Sequence, residues 1–253
     1  MNRTRSLSTA LYLIFLPLLL GSVGITSWLA HRAGDLSVRE VATALGDSYA
    51  QRIRQRVRTF LDEPQLVNQV NKTEMRLGLV DPLDLDHLRL RFWTQLQDFQ
   101  HVNYIYYGTH SGEIIGFQRE LDGSYSYSTV DEDRRFITYA LSSDFEMGAV
   151  TEHGDLFDPR TRPWFTAAVQ AGETTWTDIY VWFGRDDLCI DVASPVYADD
   201  GALIGVLDAG YTLGLLSRFL EDLHIGKTGK AYIVDGEGLC KIEHKVSFRV
   251  PVI

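Results

Sequence analysis

No charged side chain occurs between Arg5 and His31, and residues 10–30 read ALYLIFLPLLLGSVGITSWLA. A helix rises about 1.5 Å per residue, so this run covers roughly 30 Å, the thickness of a bilayer's hydrocarbon core. The spacing predicts a transmembrane helix over 10–30. Arg3 and Arg5 precede it, and flanking positive charge favours the cytoplasmic side, which leaves residues 1–9 inside and exports the rest. Trp28 then falls at the outer interface. The alternative is a cleaved signal peptide, but its apolar region would be unusually long and no clean A-x-A site follows within a few residues. No second apolar run of spanning length exists in the sequence. The expectation is a single-pass protein of the cell (inner) membrane, with its main domain periplasmic or extracellular.

Composition limits what the exported part does. The formal charge of -10 argues against nucleic acid as a partner, because such a face needs clustered Lys and Arg. Hydrophobic content of 45% with 23% charged residues is that of a globular chain. Two cysteines, Cys189 and Cys240, form no disulfide framework.

After the apolar run, Val41, Leu45, Tyr49, Ile53, Val57 and Leu61 recur every fourth residue. They predict a long stalk helix over 33–62, with Asp35 and Ser37 as caps near its beginning. Such a helix also offers a stripe for pairing with a second copy as a homodimer. Shorter helices are expected over 64–77 and 84–99. From Val102 the period changes to that of strands: VNYIYYGT, EIIGFQREL and SYSYSTV, the first two joined by the hairpin signal HSG. Residues 141–162 have no clean period and read as loop. Pro163 opens a helix that Gly172 is placed to end. Strands are expected over 175–183, 187–196 and 202–213, the last two joined by YADDG, then a helix over 214–223.

The candidate site centres on DPRTRPWF, residues 158–165. Pro163 pushes Arg162 toward an extended backbone, outside the helix, which leaves its guanidinium beside the open amino end of that helix. Unpaired N–H groups and the helix dipole favour an anion there, and a charge-assisted bond is worth about 1.5–3 kcal/mol. In TWTDIYVWF, alternation sets Trp176, Asp178, Tyr180 and Trp182 on one face. Aromatic rings with polar tips suit a small-molecule pocket. The competing reading has Arg162 paired with Asp158 or Asp178 and the tryptophans filling the core.

The blocks DPRTRPWFTAAVQAGETTWTDIY, SPVYADDGALIGVL and LHIGKTGKAYIVD, in that order, resemble the double Cache sensor domains of bacterial receptors. The resemblance covers roughly residues 35–240. It implies an α+β architecture: a transmembrane and stalk helix, a membrane-distal PAS-like (Cache) antiparallel sheet domain over 63–223, and an incomplete membrane-proximal module over 224–253. In the amino-acid-binding branch, an Arg-x-Trp-Tyr block, a later tyrosine and an aspartate on the last strand hold the ligand. Arg162, Trp164 and Tyr180 match; Phe165 replaces the second tyrosine of the block, and Gly210 stands at the aspartate's position. Asp208, two residues earlier on the same strand face and about 7 Å away, is the candidate substitute for the ammonium partner. Members of the family complete the second module and continue into a second membrane helix and an output domain. The resemblance therefore implies a truncated or frameshifted product, or a degenerate receptor.

The resulting expectation is a sensor that binds a small carboxylate-containing ligand, an amino acid or organic acid, through Arg162, Trp164, Phe165, Tyr180, Trp182, Asp178 and Asp208. It requires no catalysis, no cofactor and no metal. The alternatives are an exported enzyme using Asp178 or Asp208 as acid or base, and a degenerate, non-signalling receptor fragment. GKTGK at 226–230 lacks the first glycine and the final Ser or Thr of a phosphate loop.

Overall fold

The computed structural model describes residues 7–222, without the side chains of residues 7–12, 14, 35–38 and 42. The expected second module over 224–253, including GKTGK and Cys240, lies outside the described residues. The chain divides into two units, one comprising residues 1–55 and the other beginning at Arg56.

A single helix, α1 (Leu7–Arg76), runs through the apolar stretch, the expected stalk and the expected helix over 64–77. No helix therefore begins at Asp35 or Ser37, the expected caps, and Pro64 does not end one. A proline inside a helix removes one hydrogen bond; here the neighbouring Phe60 and Val67 are buried, and tertiary packing holds the helix through that gap. In the first unit the apolar side chains stand exposed, among them Phe15, Leu18, Val23, Ile25, Val41, Leu45 and Tyr49. Among the described residues no helix is long and apolar enough to cross a membrane; Ala10, Leu11, Tyr12 and Ile14 of the run are outside the described side chains.

The second unit is an antiparallel sheet with both faces covered. α2 (Leu85–Asp98) is followed by β1 (Tyr104–Thr109), β2 (Ile114–Arg119), β3 (Tyr125–Val130), β4 (Arg135–Leu141) and β5 (Met147–Leu156). A short 3-10 turn, Pro159–Thr161, leads into α3 (Pro163–Ala171). Then come β6 (Thr175–Trp176), β7 (Tyr180–Val181), β8 (Leu188–Tyr197), β9 (Leu203–Thr212) and α4 (Leu213–Glu221). The sheet order is β5-β4-β3-β2-β1-β9-β8-β6, with β7 also paired to β8. The first and last strands of the sheet therefore meet in its middle, where β1 pairs β9 antiparallel.

Period-two alternation divides the two cores. Ile105, Tyr107, Phe117, Leu207 and Ala209 face the helices, packing with Val67, Leu88, Phe92 and Leu96. Tyr104, Tyr106, Ile114, Val206 and Ala193 face the other way, toward Phe157, Trp164, Phe165 and Ala168. That second layer holds the candidate site.

Two sequence expectations are corrected. Residues 141–162 are not mainly loop: β5 is a ten-residue edge strand, exposed along most of its length and irregular in register against β4. Backbone pairing sets it, with no buried face to impose a period. The strand expected over 175–183 breaks into β6 and β7, because Thr177 turns inward and is buried while Asp178 and Ile179 stay exposed. α3 itself matches its expectation, ending at Gly172 in a left-handed conformation with φ 68°.

Candidate functional site

Arg162 has an extended backbone (φ -79°, ψ 148°) and caps α3 without any side-chain capping bond. Its guanidinium lies over two rings, 5.2 Å from the centre of Phe183 and 5.9 Å from that of Phe157. Its one hydrogen bond is long, 3.5 Å from Nη2 to the Val181 carbonyl. Asp158, a candidate ion-pair partner from sequence, is taken by Arg160, whose Nη2 is 2.7 Å away. Asp178 is exposed. Among the described residues Arg162 enters no ion pair, so a half-buried cation faces the cavity with spare donors.

Tyr104, Tyr106, Trp164, Tyr180, Trp182 and Asp208 line a narrow cavity together with Arg162 and four apolar side chains. Arg162, Trp164, Tyr180, Trp182 and Asp208 are thus brought together as the sequence suggested. Phe165 and Asp178 are not. Phe165 is buried in the core beside Trp164, since successive residues of a helix point about 100° apart. The ring of Trp182 meets that of Tyr104 edge to face, with centroids 4.3 Å apart.

Beneath the cavity lies a group that sequence reading missed. Asp191 on β8 is fully buried. Tyr104 donates a hydrogen bond to its Oδ1 and Tyr180 to its Oδ2. The register places Tyr104, Gly210 and Asp191 side by side across β1, β9 and β8. A Cβ on Gly210 would strike Asp191 Oδ1, the Ile190 carbonyl and Tyr104 Oη. The glycine is therefore what lets the tyrosine and the aspartate meet. An acid within CIDVASPV, an otherwise apolar strand, was the available signal, because a carboxylate is seldom fully buried without a purpose. Tyr104 and Tyr106 were visible as alternate residues of YIYY.

Asp208 stands one pair along, opposite Tyr106 and Ala193. It is 2% exposed, and its Oδ1 has no hydrogen-bond partner. Burial pushes the Asp208 carboxyl well above the ordinary range, and the charge on Asp191 pushes it further. Burial also raises Asp191, but the two tyrosine hydroxyls and the Arg162 charge pull it back. Tyr104 and Tyr180 are themselves raised, first by burial and then by Asp191, so both stay protonated donors. Of the two acids, Asp191 is the one equipped to carry charge. Among the described residues, no group of three or more His, Cys, Asp or Glu is arranged to hold a metal.

Residues 109–216 match the family described as methyl-accepting chemotaxis protein-like, first PDC sensor domain. This segment is a Cache-type sensor domain. The chain is 35% identical over 82 residues to the methyl-accepting chemotaxis protein PctB of Pseudomonas aeruginosa, covering 32% of this chain and 13% of PctB. Over 83 residues it is 36% identical to McpA of Pseudomonas putida, with coverage of 32% and 13%. The chain thus aligns with about an eighth of the length of these relatives. Among solved structures, one titled methyl-accepting chemotaxis protein X superposes with a TM-score of 0.51 at 14% identity, covering 78% of this chain and 72% of that one. That likeness shows the fold. This chain and that structure share the order of a long helix followed by an antiparallel sheet.

Proposed function

We propose that this chain is a membrane-anchored sensor module that binds a small carboxylate-containing ligand outside the cytoplasm, for signalling and without chemical conversion. The observation that carries the reading is Arg162: a half-buried guanidinium with one long hydrogen bond, at the uncapped start of α3, inside an aromatic cavity. Spare donors there suit a carboxylate, and the rings of Trp164, Tyr180 and Trp182 suit a ligand's apolar body.

Membrane anchoring rests on residues 10–30, whose described side chains stand exposed on α1 with no protein core around them. The printed names of the relatives, methyl-accepting chemotaxis proteins, support a signalling role. Pairing of two copies through the stalk is part of the same reading, supported by exposed Val41, Leu45 and Tyr49. The test is a thermal-shift screen of the detergent-solubilised chain against amino acids, monocarboxylates, dicarboxylates and amines. A ligand at a hundred times its Kd adds about 2.7 kcal/mol. Arg162→Ala is expected to abolish every carboxylate hit; an undiminished shift in that variant overturns the assignment.

A further inference from the structure

Pro64 stands inside α1 and is buried. It has no N–H, so the carbonyl four residues earlier, that of Phe60, loses its helical donor. A donor reaches that carbonyl from far along the chain: the hydroxyl of Tyr211, 151 residues away in sequence. Burial pushes the Tyr211 hydroxyl up, and Glu63 and Asp62 add to it, so the group stays protonated and keeps donating. The two rings also stack, with centroids 4.4 Å apart, and Phe219 of α4 stacks on Phe60 at 4.0 Å.

Tyr211 belongs to β9, whose Asp208 lines the cavity. Strand alternation turns Asp208 and Gly210 to the cavity face and Tyr211 to the helix face, with Leu207 and Ala209. A second tie runs beside it. About one turn past Pro64, Asn68 Nδ2 donates to the Val192 carbonyl of β8 at 2.6 Å. Asp191 and Gly210 are register partners beneath the cavity. The bonds from Tyr211 and Asn68 therefore land one residue beyond each member of that pair. Sharp kinks in helices form at prolines; here the donor that carries α1 through the gap belongs to the sheet.

We infer that Tyr211 couples the cavity floor to α1: its hydroxyl replaces the hydrogen bond that Pro64 removes, so the helix is held at Pro64 only while β9 keeps its place. A shift of β9 that withdraws the hydroxyl leaves the Phe60 carbonyl to water and frees α1 to bend there. Coupled equilibria are reciprocal, so a bend imposed on α1 acts back on β9. The coupling holds whichever molecule the cavity takes, and it stands apart from the ligand assignment.

The test therefore needs no ligand. Amide exchange is followed at residues 65–68 of α1 in the full chain in detergent, relative to residues 88–96 of α2, which report general stability. Tyr211→Phe keeps the ring stack and removes only the donor; it is expected to speed exchange at 65–68 by about tenfold over that reference. Gly210→Ala displaces the strand from the cavity side, because its Cβ would meet Asp191 and the Ile190 carbonyl. It is expected to speed the same amides. Asp191→Asn is read beside it, so that a glycine variant that fails to fold does not end the test: its amide turns N–H toward a donating tyrosine and disturbs the same floor. In a Pro64→Ala chain, where residue 64 supplies its own N–H, all three changes are expected to leave 65–68 in step with α2. Exchange in step with α2 for Tyr211→Phe alone overturns the coupling. So does acceleration that persists in the Pro64→Ala chain, which would make Tyr211 a packing residue only. Acceleration by Tyr211→Phe but by neither floor variant severs the link to the cavity and overturns it as well.

Discussion

Asp191 lies directly across the sheet from Gly210, and a side chain on that glycine would collide with the aspartate's carboxylate. The bare glycine and the buried acid form one device, with Tyr104 closing it from β1. Gly210→Ala places a Cβ against the Ile190 carbonyl as well, and backbone gives way less easily than a side-chain tip. Overpacking of this kind costs about 1–3 kcal/mol. Urea denaturation is expected to show that loss; a variant as stable as the parent would mean the pair is not as closely packed as the register indicates.

The buried acids set a pH dependence with a definite sign. Burial raises both Asp191 and Asp208 above 3.8, the former to about 7. The folded state then keeps protons that the unfolded chain has already released, so stability falls as pH rises from about 4 through about 7. Without ligand, the denaturation midpoint is expected to be higher at pH 5 than at pH 8. Asp208→Asn flattens that slope. A midpoint that rises with pH over this window would contradict the assignment.

The hairpin bearing Trp182 and Phe183 is tied down at its tip. Arg185 Nη1 is 2.9 Å from Glu120 Oε2 at the end of β2, and its Nε is 3.6 Å from Glu152 Oε2 on β5. All three side chains are partly exposed, so screening limits the pair's worth to about 1 kcal/mol. Arg185→Ala is expected to cost that much stability and to speed amide exchange over residues 180–187. Exchange unchanged there would show that the aromatic packing alone holds the hairpin.

Phe92 on α2 is fully buried on the opposite face of the sheet. Phe92→Ala is expected to cost about 3–5 kcal/mol by leaving a cavity. Its side chain belongs to the other core and is no part of the cavity's lining, so ligand affinity measured on the folded fraction should stay within about twofold. A large affinity change would reveal coupling through β1.

Local chemistry made much of this protein legible in the sequence. The hairpin signal HSG, the YADDG turn, and Pro163 with Gly172 around α3 each express a short-range rule of backbone geometry, and each is found where expected, while the stalk stripe lies inside one longer helix. Arg162 could be placed because the following proline dictates its backbone. Trp164, Tyr180 and Trp182 came with it through neighbouring positions.

Tertiary structure decided the rest, because strand partners lie far apart in the chain. β5 carries no hydrophobic period and exists by pairing with β4. Asp191 acquires its role only when β8 is laid beside β9 and β1, which brings residues 104, 191 and 210 into one row. No spacing within DVASPV announces that neighbour. Whether an acid is a solvated charge or a buried, unsatisfied one depends on what surrounds it in space. For Asp178 and Asp208, equally acidic in the sequence, the fold gave opposite answers.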